Sequence, residues 1–252
     1  MRIAVIGSGV AGLGAAWALS RQHEVILFEA SARPGGHTNT VIVDAPDGPV
    51  GIDTGFIVHN PVNYPNLIRM LECLDVRTQP SRMSFALSAG QGALEFSGGG
   101  RLLGLFAQLR LLFSPAHWRM LRDILRFFRH TKGLLTTNQL PDSTLGEFLD
   151  AHGYSSEFQR RFLCPMAGAI WSMPASETRQ FPFPAFARFF DSHGLLNVFR
   201  RPKWRTISGG SQRYVDAMLT DFAGELRLEA TVTSIRPLDE AVEVPSEHST
   251  GP

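Results

Sequence analysis

Residues 1–14 read Met-Arg-Ile-Ala-Val-Ile-Gly-Ser-Gly-Val-Ala-Gly-Leu-Gly. An apolar run over 3–6 enters Gly7-x-Gly9-x-x-Gly12, a helical pattern follows, and a second apolar run over 24–28 ends on Glu29. Few folds accept that order. A buried strand that turns through glycine into a helix and returns as a second strand is the first crossover of a Rossmann-like α/β sheet. Gly7 permits the tight turn, Gly9 lets the backbone approach a pyrophosphate, and Gly12 lets the helix lie close to the strand. The helix N-terminus, at Val10 and Ala11, offers N–H groups and partial positive charge to phosphate. Glu29 is placed to accept hydrogen bonds from a ribose diol. The glycine turn alone does not choose between NAD and FAD.

At 252 residues and 44% hydrophobic content the chain can bury a sizeable core in one large or two modest domains. A formal net charge of +1 gives no field that would favour nucleic acid, and no nucleic-acid motif is visible. Cys73 and Cys164 lie far apart, outside any metal-ligand spacing, so neither a metal site nor a disulfide framework is expected. Cys73 sits in a helical apolar pattern and is expected to be buried as a small hydrophobe. No signal peptide and no long uncharged apolar run is present, which points to a cytoplasmic protein without a spanning helix.

Further along, 40–43 and 50–52 read as short strands about the turn Pro46-Asp-Gly48, and 63–74 as a helix. Residues 83–87 and 93–96 read as a strand pair. Residues 101–133 are strongly helical, with a break near Ser114-Pro115. Ser143 or Thr144 with Glu147 makes a capping box. A helix is expected over 211–222, and strands over 226–228 and 231–235. The acidic tail, without aromatic residues, reads as disordered.

The second glycine pair adds most. Glu29-x-x-x-Arg33-x-Gly35-Gly36-His37 follows the acidic strand end at short range. Here the chain resembles the flavin-containing amine oxidase superfamily, with its monoamine oxidases, protoporphyrinogen oxidases and phytoene desaturases. The resemblance implies FAD, with Glu29 on the adenosine ribose and Arg33, Gly35 and Gly36 around the pyrophosphate. His37 stands where the superfamily usually has arginine and supplies less charge. Gly51-Ile-Asp53-Thr54-Gly55 matches the segment that turns beneath the flavin ring, and the stretch 206–215 matches the re-entry into the cofactor domain. The stretch 228–235 matches the strand whose backbone, at Val232, pairs with adenine. A bacterial subgroup of predicted NAD/FAD-binding, amine-oxidase-like proteins is more similar still. It shares Gly35-Gly-His-Thr-Asn-Thr40, Phe56-Ile-Val-His-Asn60 and Arg201-Pro-Lys-Trp204, and His37 is normal in it.

The implied fold is α/β: a Rossmann-like FAD-binding domain with an inserted α+β substrate domain. Its parts are 1–58 and 206–240 for the cofactor, 59–205 for an incomplete substrate domain, and 241–252 as a disordered tail. Superfamily chains are longer and end in a segment that binds the ribityl chain and pyrimidine ring. Nothing here matches it, so the resemblance implies a C-terminally truncated member and weak FAD binding.

Residues 101–132 carry Arg101, Arg110, Arg119, Arg122, Arg126, Arg129 and Lys132 against one acid, Asp123. This is either a solvated helix face or a basic amphipathic surface for peripheral contact with the inner face of a membrane. The Phe-Pro stretch 181–190 is either core packing or the lining of an apolar pocket. Trp171 and His193 have the character of active-site residues, but packed structural roles are the stronger reading. Asp53 is a candidate base or a positioning group. No catalytic acid or base is named, because hydride transfer to a flavin needs none from the protein. The expected function is an FAD-dependent oxidoreductase acting on a hydrophobic, fatty-acyl type of lipid substrate. The alternatives are an amine oxidase releasing peroxide, a non-catalytic remnant or nucleotide-binding module, and more weakly an NAD-dependent dehydrogenase.

Overall fold

The computed structural model describes residues 1–98, 102–198, 202–238 and 241–248. The chain forms two compact units, Met1–Ser81 with Trp204–Pro252, and Arg82–Lys203. Residues 59–81 therefore pack with the glycine-turn segment, not with the residues that follow them.

The first unit starts with β1 (Arg2–Ile6), α1 (Val10–Leu19) and β2 (Glu24–Phe28). β1 and β2 are parallel, with Ile3 opposite Val25 and Ile6 opposite Phe28. The run Val25 to Phe28 is buried on both faces, as a strand inside a parallel sheet requires. Leu13 and Ala16 of α1 are wholly buried. Gly12 is what allows that approach: a Cβ there would stand 1.9 Å from the Gly7 carbonyl oxygen. Strands β3 (Thr40–Ala45) and β4 (Gly48–Asp53) form a hairpin, longer than the sequence pattern indicates. Pro65 opens α2 (Pro65–Cys73), which buries Leu71 and packs Leu67 and Met70 on the core. Cys73 is exposed, contrary to expectation. It lies two positions beyond Leu71, about 200° round the helix, and so faces solvent. Strand β5 (Thr78–Pro80) closes this segment.

The second unit opens with the hairpin β6 (Ala86–Ala89) and β7 (Leu94–Ser97). Then come α3 (Leu102–Leu105), a 3-10 turn (Leu109–Phe113) and α4 (Pro115–Thr136). The break falls at Ser114-Pro115, where the Ser114 Oγ accepts the His117 N–H at 3.3 Å and proline takes the first turn. Arg101 lies outside the described residues. Helix α5 (Leu145–Ala151) carries the capping box on Thr144: the Thr144 N–H donates to Glu147 Oε2 at 2.8 Å and the Glu147 N–H to Thr144 Oγ1 at 3.2 Å. Helix α6 (Ser156–Phe158) runs through a π turn (Gln159–Leu163) into α7 (Cys164–Trp171), followed by α8 (Ala175–Thr178) and α9 (Phe183–Ser192). The π turn ends two residues before Pro165, which has no N–H for the regular ladder. Phe127, Phe148, Phe158, Phe183, Phe186 and Phe190 are fully buried together. The Phe-Pro stretch is thus core. Trp171 stacks on Phe181 at 4.8 Å. The His193 ring lies against Phe189 at 3.9 Å, with Nδ1 2.9 Å from the Phe189 carbonyl oxygen.

The chain re-enters the first unit as β8 (Arg205–Ile207), antiparallel to β5 with Thr78 opposite Ile207. Helix α10 (Gln212–Asp221) follows, then β9 (Glu225–Arg227), which adds in parallel to β2 and gives the sheet order β1-β2-β9. Tyr214, Val215 and Met218 of α10 meet Leu13 and Ala16 of α1 in one core. Asp221 fastens the two helices, accepting from Trp17 Nε1 and from Arg21, each at 2.7 Å. Last come β10 (Ala230–Val232), β11 (Arg236–Pro237), β12 (Val242–Glu243) and β13 (Ser246–His248). β10 pairs antiparallel with β13, and β11 with β12. The described part of the tail expected to be disordered over 241–252 is therefore mostly paired strand. Val244 explains part of this, since it packs with Ile26, Phe28 and Ala230. Residues 239–240 and 249–252 lie outside the described residues.

Candidate functional site

The site is built where the two glycine segments meet. Gly7 has φ +88° and its N–H donates to the Phe28 carbonyl at 2.8 Å, which closes the turn over the end of β2. The next residue, Ser8, is fully buried and ties the glycine turn to Glu29 and to Gly35. Its N–H donates to Glu29 Oε2 at 2.8 Å, and its hydroxyl donates to the same oxygen. Its Oγ and its carbonyl accept the Gly35 N–H at 3.1 and 3.2 Å. A Cβ on Gly36 would stand 2.8 Å from the Gly9 Cα, so the second glycine pair lies directly on the first. By contrast, a Cβ on Gly7 or Gly9 would meet nothing within 4 Å.

Helix α1 begins at this junction. Its first i→i−4 bond runs from the Leu13 N–H to the Gly9 carbonyl at 2.8 Å, and Gly9 supplies no side-chain cap. The preceding N–H groups, at Val10 and Ala11, belong to a turn without intrahelical partners, and both residues are exposed. Amide donors, a dipole end and an uncrowded backbone together suit an anionic diphosphate.

Glu29 is 8% exposed and carries three hydrogen bonds, the third from the Ser31 N–H to Oε1 at 2.8 Å. Burial raises its pKa, but the bonds from Ser8 and Ser31 outweigh burial and hold the carboxyl below its ordinary value. A carboxylate has about four acceptor positions, so one remains for a sugar hydroxyl. Val232 stands on the adjacent strand. The Thr233 N–H bonds the Pro245 carbonyl at 3.2 Å, and antiparallel alternation then turns the N–H and C=O of Val232 to the other edge. On that edge the Ala230 N–H bonds the Glu29 carbonyl at 2.9 Å. A strand edge able to read a purine therefore lies next to the acidic strand end.

The remaining candidate residues have other partners. Arg33 is exposed and curls onto its own loop, donating to the Thr38 carbonyl at 2.6 Å and the Gly36 carbonyl at 3.0 Å. It shapes the Gly35-Gly36 turn. His37 is exposed, and its carbonyl lies against Gly55, where a Cβ would come within 1.8 Å. Thr54 is tied to Asn39 through the Thr54 N–H at 2.9 Å and the Asn39 Nδ2 at 2.8 Å. Asp53 accepts from Thr40 Oγ1 at 2.6 Å, the Ser211 N–H at 2.7 Å and the Ser211 hydroxyl at 2.9 Å. Its carboxylate is occupied as a clamp on the start of α10, so the structure gives it a positioning role. Gly9, Gly12, Gly35, Gly36, Glu29 and Val232 gather at one place; Asp53, Thr54 and Gly55 form a neighbouring turn. Sequence reasoning passed over Ser8. Its signal was a hydroxyl in the middle of the glycine turn, available to both loops.

The sequence pattern of the family described as flavin-containing amine oxidoreductase matches residues 10–251. The chain belongs to that family. Solved structures share the fold of this chain at low sequence identity. A wild-type putrescine oxidase bound to putrescine superposes with TM-score 0.73 at 18% identity, over 98% of this chain and 55% of its own. Cyclohexylamine oxidase from Brevibacterium oxydans IH-35A gives 0.70 at 20% identity, over 97% and 54%. An oxidoreductase from Methanosarcina mazei gives 0.61 at 18%, over 98% and 56%. The chain thus spans little more than half the length of these family structures. The site's residues fit the flavin dinucleotide expected of the family: open backbone at Gly7 and Gly9, a free acceptor position on Glu29 and a free strand edge at Val232.

Proposed function

We propose that this chain holds FAD in its first unit and works as an FAD-dependent oxidoreductase on a hydrophobic, fatty-acyl type of substrate. The observation that carries the cofactor reading is the junction of Ser8, Glu29 and Gly35 beneath the open N-terminus of α1. Val10, Ala11, Gly7, Gly9, Gly35 and Gly36 present backbone to the diphosphate. Glu29 orients the ribose and Val232 the adenine. Arg33 and His37 fix the second loop around the phosphates, and Asp53, Thr54 and Gly55 hold the turn that leads toward the ring. When bound, FAD supplies the two-electron acceptor, while the protein supplies orientation and a dry pocket. In this reading the stretches 1–58 and 206–240 serve the cofactor. The insertion 59–205 serves the substrate, with its compact part in Arg82–Lys203. Residues 101–132 meet the inner membrane surface, where such a substrate resides.

Titration of the purified chain with FAD, followed by flavin fluorescence, tests this. Glu29→Gln weakens binding by about tenfold or more, the cost of losing charge in a hydrogen bond at 1.5–3 kcal/mol. Saturable binding of NAD but not FAD would sink the reading. A second reading, oxidation of an amine with peroxide release, is favoured by the names of the putrescine and cyclohexylamine oxidases. Peroxide from an amine panel selects it; loss of two hydrogens from a lipid selects the first. FAD binding without turnover of either leaves a nucleotide-binding module.

A further inference from the structure

The outer face of α4 carries two adjoining hollows that the cofactor reading does not use. Arg122, Arg126, Arg129 and His130 line the first, about 500 Å³ and open to solvent. Leu125, Phe128, Arg129, Lys132, Leu196, Asn197 and Val198 line the second, about 280 Å³. Arg129 belongs to both. One end of the combined groove is cationic and the other is largely apolar, the pattern of an amphiphile with an anionic head.

The charge is only partly neutralised from within. Asp123 is the one carboxylate on α4. It is buried, with Oδ2 taken by the Ser155 N–H at 2.9 Å and Oδ1 3.6 Å from Arg122 and 3.8 Å from Arg126. Arg126 also donates to the His152 carbonyl at 2.8 Å and stands 4.0 Å over the Tyr154 ring. Among the described residues no carboxylate pairs with Arg129. Beyond the start of the helix, Leu109 and Phe113 are 77% and 85% exposed, and Trp118 is half exposed one turn before Arg122. Apolar and aromatic groups beside a cationic helix face match the interfacial layer of an anionic bilayer.

We propose that this groove binds an anionic phospholipid at the bilayer surface. The phosphate sits among Arg122, Arg126 and Arg129, and the adjoining acyl chain lies along Leu125, Phe128, Leu196 and Val198. This rests on the membrane-contact reading above and gives it a defined site. The guanidinium groups match phosphate oxygens in pairs, and the lipid's own anionic neighbours attract the remaining cations.

Co-sedimentation with phosphatidylcholine vesicles, with and without phosphatidylglycerol, tests it. The chain should bind the anionic vesicles and not the neutral ones. The double variant Arg122→Gln, Arg129→Gln should bind about 30-fold more weakly, from about 1 kcal/mol per arginine at an anionic surface and about tenfold per 1.4 kcal/mol. Leu125→Ser should weaken binding with the arginines intact. Both changes are at exposed positions, and unchanged thermal melting would show the fold is kept. Binding by wild type and double variant alike would overturn the groove and leave membrane contact standing. No binding to either vesicle would overturn both. Full displacement from vesicles by inorganic phosphate would overturn the phospholipid assignment in favour of a bare anion site.

Discussion

Asp53 grips Ser211 through both carboxylate oxygens, Oδ1 on the backbone N–H at 2.7 Å and Oδ2 on the hydroxyl at 2.9 Å. The pair joins the turn after β4 to the first residue before α10, and Thr40 adds a third bond to Asp53 at 2.6 Å. Asp53→Ala removes all three. Each hydrogen bond to a charged group contributes about 1.5–3 kcal/mol, not additively, so the variant should lose at least one such increment. A lowered urea midpoint with unchanged slope would show it. An unchanged midpoint would mean the clamp is incidental.

Glu29 should make stability acid-sensitive in a defined window. Its folded pKa is lower than that of the unfolded chain, because the bonds from Ser8 and Ser31 outweigh burial. The stabilisation is full above the ordinary glutamate value, about 4.3, and is lost as pH falls from there through the folded value. Glu29→Gln should therefore be less stable than wild type at neutral pH and lose less on further acidification below about 4. Urea unfolding across that range is the measurement.

His59 gives the opposite sign of residue at a higher pH. It is fully buried, and neither ring nitrogen has a partner among the described residues. Burial, then the charge of Arg205, pushes its pKa down. The unfolded chain takes up a proton more readily, so stability is full above about 6.5 and falls as pH drops through that value toward the folded one. His59→Phe removes an unpaired polar ring at similar volume. It should be neutral or stabilising at pH 7 and flatten the decline toward pH 5.

Phe127 anchors the second unit, with Phe148, Tyr154, Phe158 and Phe186 around its ring at 5.5 to 6.3 Å. Phe127→Ala should cost about 3–5 kcal/mol. A melting curve should show the loss as a large drop in midpoint, whereas Leu109→Ala, at an exposed position, should leave it nearly unchanged.

The sequence exposed those features whose cause is local. Gly12 and Gly55 are dictated by backbone carbonyls so close that an added Cβ would stand under 2 Å from them, which only glycine avoids. Thr144 with Glu147 and the Ser114-Pro115 break are set within four residues. The strand, glycine turn, helix and strand over residues 2–28 are legible for the same reason. What escaped is long-range. The pairing of Thr78 with Ile207 and the grip of Asp53 on Ser211 join residues on either side of the second unit, Arg82–Lys203, and no local pattern encodes them. The resemblance implies Arg33 at the phosphates, and no local pattern shows that its guanidinium bonds the carbonyls of its own loop. Cys73 was placed by a run of apolar neighbours when its angle round α2 decides its exposure.

The Ser81 N–H reaches the Trp204 carbonyl at 2.9 Å, one step beyond the pairing of β5 with β8. Departure and return of the polypeptide thus share a single doorway, already latched by the ladder bonds of β5 and β8. Whatever length of chain hangs from that doorway incurs little added loop-closure entropy. Exchange of the hanging portion therefore leaves both these ladder bonds and the core of Leu13, Ala16, Tyr214 and Val215 as they were.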